Sequence, residues 1–420
     1  ALNGAMNNDR VMARVNYDVN GKKPEGEIIR IITRAHNKIV GTFFQSRDYA
    51  FVVPDDKKIA SDIYIMRRDF NGAKNNQKVV VEITEWPQEH RKAEGKVVEI
   101  LGKIGDVGLE ILSIIKQHDL PLEFPAEVIE ASKKIPKNVL KDELAGRRDL
   151  RHLPIVTIDG EDAKDLDDAV YVQQLSMDEF LLGVYIADVS YYVKEDSILD
   201  KEARERGTSV YLVDRVLPML PERLSNGICS LNAGVDRLSM ACEMHINREG
   251  KVLDYEIFPA VIHVRHRLSY NIVREILAGD EALRAKYEDI LPMVQLMDEL
   301  REILHKKRAK RGAIDFDLPE QKVILDDKLK PVEIVQRIHG NAESVIEEFM
   351  LAANETVAQH MFKQKWPFVY RVHDIPAEDK MQELAKLLAN FNVKFKIQEE
   401  MDPAEIQRAV KAMAGRPEER

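Results

Sequence analysis

The residues best suited to chemistry form a dense acidic cluster between two apolar segments. Six carboxylates occur within the ten residues from Asp159 to Asp168, in the stretch Ile155-Val-Thr-Ile-Asp-Gly-Glu-Asp-Ala-Lys-Asp-Leu-Asp-Asp-Ala-Val-Tyr-Val172. Like charges this close raise one another's pKa values unless a cation neutralises them. Clustered oxygen ligands suit a hard divalent ion, Mg2+ or Mn2+, in preference to zinc. The cluster therefore predicts a metal site of the kind that hydrolyses phosphodiesters.

Two alternatives to a metal site of this kind are a calcium loop and a solvated acidic turn. A calcium loop of the EF-hand type fails, because counting from Asp165 places Ala169 at the fifth position and Ser176 at the twelfth, where ligands are required. A solvated acidic turn stays open as an alternative. The apolar segments on both sides favour an active site at the ends of two buried strands, because such sites lie on loops held by a rigid scaffold.

Length, charge and hydropathy set the broad class of the protein. A chain of 420 residues predicts two or more domains, and it contains no apolar run approaching the ~20 residues of a membrane span. The net charge is −10, but residues 1–100 carry 17 Lys and Arg against 14 Asp and Glu, so the first hundred residues are at +3 and the remainder at −13. The acidic remainder suits a domain that gathers carboxylates for metal binding, although most of these acids are expected on the solvated surface.

The two cysteines, Cys229 and Cys242, are too few for a disulfide framework, and no Cys/His pair has zinc-ligand spacing. Each is expected to be a small buried hydrophobic residue. The N-terminus lacks the basic start and apolar stretch of a secretory signal and is interpreted as a point of truncation instead. We therefore expect a soluble protein of a reducing cytoplasm, without membrane contact and monomeric.

Short β-rich runs before the acidic cluster predict a small all-β barrel of the oligonucleotide-binding type. The runs are separated by Asn, Gly, Asp and Lys clusters at the spacing of a small barrel, and they span 26–33, 38–45, 50–54, 62–65 and 78–84. Tyr49 and Phe51 lie two apart on one strand, hence on one face, beside Arg47. Aromatic rings and a cation on an exposed face can stack nucleic-acid bases, whereas filling the barrel core is an equally good expectation for either ring alone.

The remaining patterns give a provisional domain division. Residues 1–24 are interpreted as the end of a truncated N-terminal barrel, 25–90 as the barrel, 91–149 as a linker with helices, and 150–420 as a mixed α+β domain that is incomplete at its C-terminus. Strands are expected at 154–158, 168–174 and 180–189, with a hairpin over 239–264 around Asn247–Gly250. Helices are expected at 107–118, 126–132, 137–144, 271–277, 280–307, 341–364 and 377–391, from apolar residues at helical period.

Several separated motifs resemble the ribonuclease II superfamily. The first is the acidic run itself, preceded by Leu150-Arg-His-Leu-Pro154. The others follow in the family's order, and they are Arg206-Gly-Thr-Ser-Val-Tyr211, Val216-Leu-Pro-Met-Leu-Pro-Glu222, Leu224-Ser-Asn-Gly-Ile-Cys-Ser-Leu231, Arg311-Gly-Ala-Ile-Asp-Phe316, Ile346-Glu-Glu-Phe-Met-Leu-Ala-Ala-Asn354 and Arg371-Val-His-Asp374. With the cold-shock-like barrel upstream, the resemblance covers nearly the whole chain. It implies the fold class of a small oligonucleotide-binding barrel followed by an RNB-type catalytic domain.

The resemblance also implies roles for individual residues. Asp159, Asp165 and Asp168 would bind metal, and Asp167 would help in hydrolysis, with Asp165 belonging to both the metal-binding and the catalytic set. Tyr211 and Phe316 match the two aromatic residues between which the family clamps the 3′-terminal base, although core packing would be the better expectation for either ring without the family. Glu348 resembles a residue near the end of the bound RNA. Glu161 and Asp162 stay outside the set, as surface acids.

Basic residues beside these motifs have two open interpretations. Arg147, Arg148 and Arg151 precede the first expected catalytic strand, where they either contact phosphates or belong to a solvated basic linker. The run from Lys306 to Arg311 slightly favours phosphate contact, yet basic residues at a helix C-terminus also complement the helix dipole.

The activity implied is processive 3′-to-5′ hydrolysis of single-stranded RNA to nucleoside 5′-monophosphates, with Mg2+ or possibly Mn2+ as cofactor. One departure stands against it, since the Ser-Pro-Ile-Arg-Arg-Tyr type motif of the family is missing from this sequence. The sequence is interpreted either as a fragment or, if it is the whole molecule, as a protein expected to be severely impaired. Two rival functions therefore stay open: an RNA-binding protein of the same fold that does not cleave, and a nuclease that acts on DNA.

Overall fold

The structure is a computed structural model that describes residues 2–16, 25–59, 61–88, 91–314, 320–336, 339–397 and 402–417. The chain divides into two compact units. The first unit comprises Ala1–Phe124, Glu205–Met219 and Lys322–Val335, and the second comprises Pro125–Arg204, Leu220–Gln321 and Gln336–Arg420.

The secondary structure is mixed, with most strands before the longest helices. The strands are β1 Arg10–Asn16, β2 Glu25–Thr33, β3 Lys38–Gln45, β4 Tyr49–Pro54, β5 Ile63–Met66, β6 Gln77–Glu85, β7 Glu94–Lys103, β8 Arg148–Asp149, β9 Val156–Asp159, β10 Asp168–Ser176, β11 Glu179–Ala187, β12 Val210–Tyr211, β13 Val216–Leu217, β14 Asp236–Asn247, β15 Val252–His263, β16 His266–Ser269, β17 Gln321–Leu325 and β18 Pro331–Gln336. The helices are α1 Leu109–Gln117, α2 Ala126–Lys133, α3 Val189–Tyr192, α4 Ile198–Arg206, α5 Tyr270–Ala278, α6 Glu281–Lys286, α7 Leu291–Lys310, α8 Asn341–Gln364, α9 Glu378–Asn390 and α10 Pro403–Met413.

A closed five-stranded barrel dominates the first unit, with strand order β3-β4-β5-β7-β6. Strand β4 alternates as a barrel strand requires, since side chains point inward and outward in turn. On β4, Ala50 and Val52 are fully buried, whereas Tyr49 and Phe51 face outward. The barrel encloses its own apolar core around Phe43. The expected small all-β barrel is confirmed.

The barrel uses a different set of strands from the one expected. β2, expected as its first strand, pairs with β1 in a separate two-stranded sheet, and β7, assigned to the linker, closes the barrel between β5 and β6. Closure needs a strand that pairs with two open edges at once, and β7 does so: it pairs with β6 along most of its length and with β5 through Glu94 and Gly95. Which β-rich run takes that place is a matter of long-range pairing that local composition does not reveal.

The second unit is built on a seven-stranded sheet of order β16-β9-β10-β11-β14-β15-β8. The expected hairpin is present as β14 and β15, and its turn ends at Gly250, whose φ of +75° favours glycine. The Asn247 side chain accepts the backbone N–H groups of Glu249 and Lys251 in the turn. Helices α5, α7 and α8 pack against the sheet, and the shared core includes Val170, Leu182 and Phe349.

Helices α3 and α4 were not expected, and the helices differ from the periodic pattern at three further places. The expected helix 280–307 is divided into α6 and α7, because Tyr287–Ile290 interrupt it and Pro292 starts a new helix. The expected helix 137–144 is reduced to a short 3-10 turn at Lys141–Leu144. Helix α10 was not expected, although Asp402 caps it by accepting the N–H of Ala404 and Pro403 follows the cap.

Both cysteines are buried and unbridged, as expected of small hydrophobic residues. Burial raises the pKa of the Cys229 thiol to about 12 and that of Cys242 to about 11, so neither is an activated nucleophile. In the part of the chain that the structure describes, no helix combines the length and the apolar character needed to span a bilayer.

Candidate active site

The acidic cluster occupies the loop between two adjacent strands of the large sheet. Asp159 is the last residue of β9 and Asp168 is the first residue of β10, and the two strands pair antiparallel through Val156 and Val170. Asp165 and Asp167 lie in the connecting loop. The strands on both sides are buried, as the apolar framing predicted. The loop is therefore held at both ends by the core.

The carboxylates of the cluster are close enough to affect one another's titration. Burial, followed by the charges of Asp159 and Asp167, raises the pKa of Asp168 to about 6. The Asp167 residue reaches solvent, yet partial loss of hydration and the charges of Asp165 and Asp159 also raise the pKa of its carboxyl group. The structure thus brings the four predicted aspartates into one electrostatic cluster.

Whether this cluster fits a metal ion depends on donor chemistry and geometry. Carboxylate oxygens are the donors that Mg2+ and Mn2+ prefer, and a divalent cation would relieve the repulsion that raises the pKa of Asp168. Over the residues that the structure describes, no three His, Cys, Asp or Glu side chains are gathered so as to hold an ion. The chemistry of the donors fits a hard divalent cation, which Asp159, Asp165 and Asp168 would hold, although their arrangement in this structure does not gather them around an ion.

Contacts from β16 and α5 hold the first part of the loop. The Arg267 guanidinium donates to the carbonyl oxygens of Glu161 and Ala163, at 2.9 and 2.6 Å. The Asn271 amide donates to Glu161 Oε1 at 2.7 Å. Sequence reasoning missed these residues and also Ser230 and Arg237 on the other side of the loop. Ser230 lies in one of the family-like motifs, but no local pattern assigns a role to any of these residues, because their role depends on contacts between segments distant along the chain.

The three arginines before β9 are already engaged. Arg147 is buried and pairs with the buried Asp188 at 2.6 Å, and Arg148 lies over the ring of Phe258 with its guanidinium carbon 3.6 Å from the ring centroid. Arg151 bridges Asp149 at 2.6 Å and Asp236 at 2.9 Å. The hydrogen bond from Arg151 lowers the pKa of Asp149 to about 2. A phosphate would have to compete with these carboxylates for Arg151.

Glu348 is a buried carboxylate with two ionic partners on a neighbouring helix. It lies on α8 with 3% of its side chain exposed, and its Oε1 is 2.9 Å from the Arg308 guanidinium and 3.1 Å from His305 Nδ1 on α7. Glu348 and Arg311 line a cavity of about 430 Å³ beside the start of β15. These contacts give Glu348 a structural role as well as the RNA-binding role that the resemblance implies.

Of the two residues of the expected aromatic clamp, the structure describes Tyr211 alone. Tyr211 lies on β12 in the first unit and is 65% exposed, and Phe316 falls outside the described residues. The clamp therefore stays a prediction.

The outer face of the barrel carries more aromatic rings than expected. Tyr49 is 42% and Phe51 36% exposed, so neither fills the core. Tyr49 stacks on Tyr64 with ring centroids 5.4 Å apart, and Phe51 stacks on Phe44 at 5.5 Å. The four rings of Phe44, Tyr49, Phe51 and Tyr64, termed here the aromatic face, come from three adjacent strands. Tyr64 and Phe44 were not predicted, because only the strand pairing places them beside β4.

Comparisons with known proteins agree with this arrangement. A family model for the RNB domain matches residues 147–420, and a model for the cold shock domain matches residues 51–125. The Thermotoga maritima protein named ribonuclease R is 46% identical over 98% of this chain and 58% of its own length. The ribonuclease R of Escherichia coli is 38% identical over 98% of this chain and 50% of its own length. The chain thus spans about half the length of the curated relatives that it matches.

Solved structures show the same fold. RNase R of Mycoplasma genitalium in complex with ribose-methylated single-stranded RNA has a TM-score of 0.90 and 29% identity, covering 99% of this chain and 66% of that one. The same protein in complex with double-stranded RNA has a TM-score of 0.87 and 28% identity, covering 99% of this chain and 71% of that one. Yeast Ssd1, a pseudonuclease, has a TM-score of 0.71 at 18% identity over 97% of this chain and 50% of that one, which shows the fold alone.

Within the superfamily, the motifs are nearest to those of bacterial ribonuclease R, and the relatives carry that name. The expected fold class, a cold-shock-like barrel followed by an RNB-type domain, is confirmed by the two family models and by the solved structures. Because the RNB match alone covers well over half of its residues, this chain belongs to the RNB domain family.

Proposed function

We propose that the protein is a 3′-to-5′ exoribonuclease that hydrolyses single-stranded RNA to nucleoside 5′-monophosphates, processively and with Mg2+ or Mn2+. The observation that carries the proposal is the electrostatic cluster of Asp159, Asp165, Asp167 and Asp168 at the ends of two core strands. Membership of the RNB domain family supports it, as do relatives named ribonuclease R and a solved relative in complex with single-stranded RNA.

The chain's own residues have distinct tasks in this proposal. Asp159, Asp165 and Asp168 hold the divalent cation, which when bound activates water and stabilises the leaving oxygen. Asp165 and Asp167 contribute to hydrolysis as the catalytic pair. Asp167 reaches solvent and has a raised pKa, so it is suited to accept a proton from the attacking water.

RNA recognition in the proposal relies on stacking. Tyr211 and Phe316 clamp the 3′-terminal base, and the aromatic face of the barrel, including Tyr49 and Phe51, guides the strand. Stacking tolerates any base, because every base presents a π-face. Contacts to the 2′-OH select RNA over DNA. Arg151 and Glu348 complete the proposed RNA-binding set, and Arg151 would exchange a carboxylate partner for a phosphate.

The proposal is tested by digestion of a uniformly labelled oligo(A) with Mg2+ and again with EDTA. Wild type should release monophosphates only with the metal, and Asp167→Asn should bind RNA normally but release none. Asp162→Asn is the matched control, since it removes the same charge from the same loop at a residue outside the proposed set. Equal loss in both variants would attribute the effect to the charge of the loop and refute the assignment of Asp167. DNA of identical sequence, cleaved as fast as RNA, would refute the substrate.

A second function, RNA binding without cleavage, is favoured by one observation. The aromatic face is formed and exposed, whereas the described carboxylates are not gathered as a metal site. If the protein binds oligo(A) tightly but releases no monophosphate with Mg2+ or Mn2+, this second function replaces the first.

A further inference from the structure

A fully buried serine holds the acidic loop on both sides of Asp165. The Ser230 hydroxyl donates to the carbonyl oxygen of Lys164 at 2.9 Å and accepts the N–H of Leu166 at 3.0 Å. The N–H of the next residue, Leu231, donates to the carbonyl oxygen of Leu166 at 2.8 Å. As a result, each of the three consecutive peptide groups between Lys164 and Asp167 makes one hydrogen bond to the segment 230–231.

Leu166 anchors the same part of the loop through its side chain. It is 1% exposed and belongs to the main core of the second unit. Asp165 and Asp167 are its neighbours on either side. A loop fixed by a buried side chain and by three hydrogen bonds to its backbone cannot shift without leaving buried polar groups unpaired, which is costly. The Ser230 hydroxyl therefore restrains the backbone on both sides of Asp165.

Ser230 is itself held by a buried arginine. Arg237 is 5% exposed, and its guanidinium donates to the carbonyl oxygens of Ser230 at 2.8 Å, Asp236 at 2.9 Å and Gly227 at 3.1 Å. Arg223–Ile228 form a π-helical turn in which the backbone of Gly227 is not helical. The carbonyl group of Gly227, on this turn, and that of Ser230, after it, both accept from the Arg237 guanidinium. Such turns recur at functional sites.

We infer that Ser230, fixed in place by Arg237, is a positioning residue that sets the separation of Asp165 and Asp167 for metal binding and hydrolysis. The inference rests on the proposed function of these aspartates. It gives a role to the segment 224–231, which the sequence marks as a motif and to which the proposed chemistry assigns none. Residues that orient metal ligands through hydrogen bonds influence metal affinity and turnover even though they contact neither the metal nor the substrate.

The chain offers a matched control at Ser239. This serine is also 0% exposed, and among the residues described by the structure its hydroxyl has no hydrogen-bond partner. Ser239→Ala removes an equally buried hydroxyl without releasing the loop. Ser230→Ala removes the hydroxyl and leaves the N–H of Leu166 unpaired.

The experiment compares wild type, Ser230→Ala and Ser239→Ala in three measurements on the full chain. Ser230→Ala should lower kcat on oligo(A), or weaken Mn2+ binding measured with the metal alone by calorimetry, by about 10- to 100-fold, with KM unchanged. Hydrogen exchange of the peptide covering residues 160–168 should become faster in Ser230→Ala and stay at the wild-type rate in Ser239→Ala. If Ser230→Ala fails to fold, Ser230→Cys preserves the size of the side chain with much weaker hydrogen bonding and replaces it.

The outcomes separate this inference from the proposed function. If Ser230→Ala matches Ser239→Ala in kcat, in Mn2+ binding and in loop exchange, Ser230 has no positioning role. If wild type releases no monophosphate, the proposed function fails. In that case Mn2+ binding and loop exchange still decide whether Ser230 positions the aspartates, because neither measurement needs turnover.

Discussion

At the scale of single residues, Asp168 shows how the fold changes the chemistry of an ordinary side chain. Its residue type and its place beside other acids are evident in the sequence, but its raised pKa depends first on burial at the start of β10 and then on Asp159 and Asp167. A buried carboxylate beside two others is costly to keep ionised. The site is therefore assembled at some expense of stability in the metal-free protein.

Replacing Asp168 by Asn should stabilise the metal-free protein at neutral pH. The folded-state pKa is about 6 against 3.8 for an ordinary aspartate, so between these values the folded state binds more protons than the unfolded state. Stability should therefore fall as pH rises through this window, by at most about 3 kcal/mol. Asp168→Asn should remove that dependence, as measured by thermal unfolding in EDTA from pH 4 to 8.

Adding Mg2+ provides the control for Asp168. The metal should raise the Tm of wild type more than that of Asp168→Asn, because binding to the folded state alone is stabilising. A wild-type Tm that is insensitive to Mg2+, with the same pH dependence in both proteins, would contradict the account of Asp168.

At the scale of elements, strand pairing and helix pairing decide which side chains work together. Alternation along β4 predicts that Tyr49 and Phe51 share a face, but only its pairing with β3 and β5 adds Phe44 and Tyr64. Likewise, helical period predicts α8 from Asn341 to Gln364, whereas its packing against α7 decides that Glu348 faces Arg308.

Removing the rings of the aromatic face should weaken RNA binding. Tyr49→Leu and Phe51→Leu keep apolar bulk but lose the π-face, and each should cost about 1–3 kcal/mol in the binding of single-stranded RNA, measured by fluorescence anisotropy. Ile100→Ala on β7 is the control, since it alters an exposed apolar residue of the same barrel that has no ring. An equal loss in the control would mean that the rings have no specific role.

Truncating Glu348 should destabilise the pairing of α7 and α8. Glu348→Ala leaves Arg308 and His305 without their buried carboxylate; because both of these side chains reach solvent, the loss should stay below the about 3–5 kcal/mol typical of a fully buried pair. Glu347→Ala is the control, because Glu347 is 42% exposed and only 3.6 Å from Arg308 at its closest. Unchanged chemical denaturation of Glu348→Ala, with weaker RNA binding, would assign Glu348 to RNA contact alone.

At the scale of the whole molecule, the chain forms two units with separate cores. The barrel core is centred on Phe43 in the first unit, and the core around Phe349 belongs to the large sheet and its helices in the second. Each core satisfies its own apolar residues. The two units are therefore expected to have distinct stabilities.

Phe43→Ala and Phe349→Ala should each destabilise one unit. Both side chains are 0% exposed, and truncating a buried Phe costs about 3–5 kcal/mol. Hydrogen exchange resolved by peptide should show faster opening of residues 38–103 in Phe43→Ala and of the large sheet in Phe349→Ala. Parallel acceleration of both units in either variant would show that they unfold as one.

Local patterns in the sequence predicted the barrel class, the acidic cluster and the bounds of α1, α2, α5, α8 and α9 to within two residues, because periodicity, capping and clustered charge act over a few residues. The choice of four aspartates within the cluster is what the family resemblance implies. The tertiary structure decided that β7 closes the barrel in place of β2, that α6 and α7 are separate, and that Ser230 and Arg237 hold the acidic loop. These features depend on hydrogen bonds and packing between segments distant along the chain. Burial of Ser230 in the second unit, which no local pattern encodes, thus determines how the peptide groups around Asp165 are fixed.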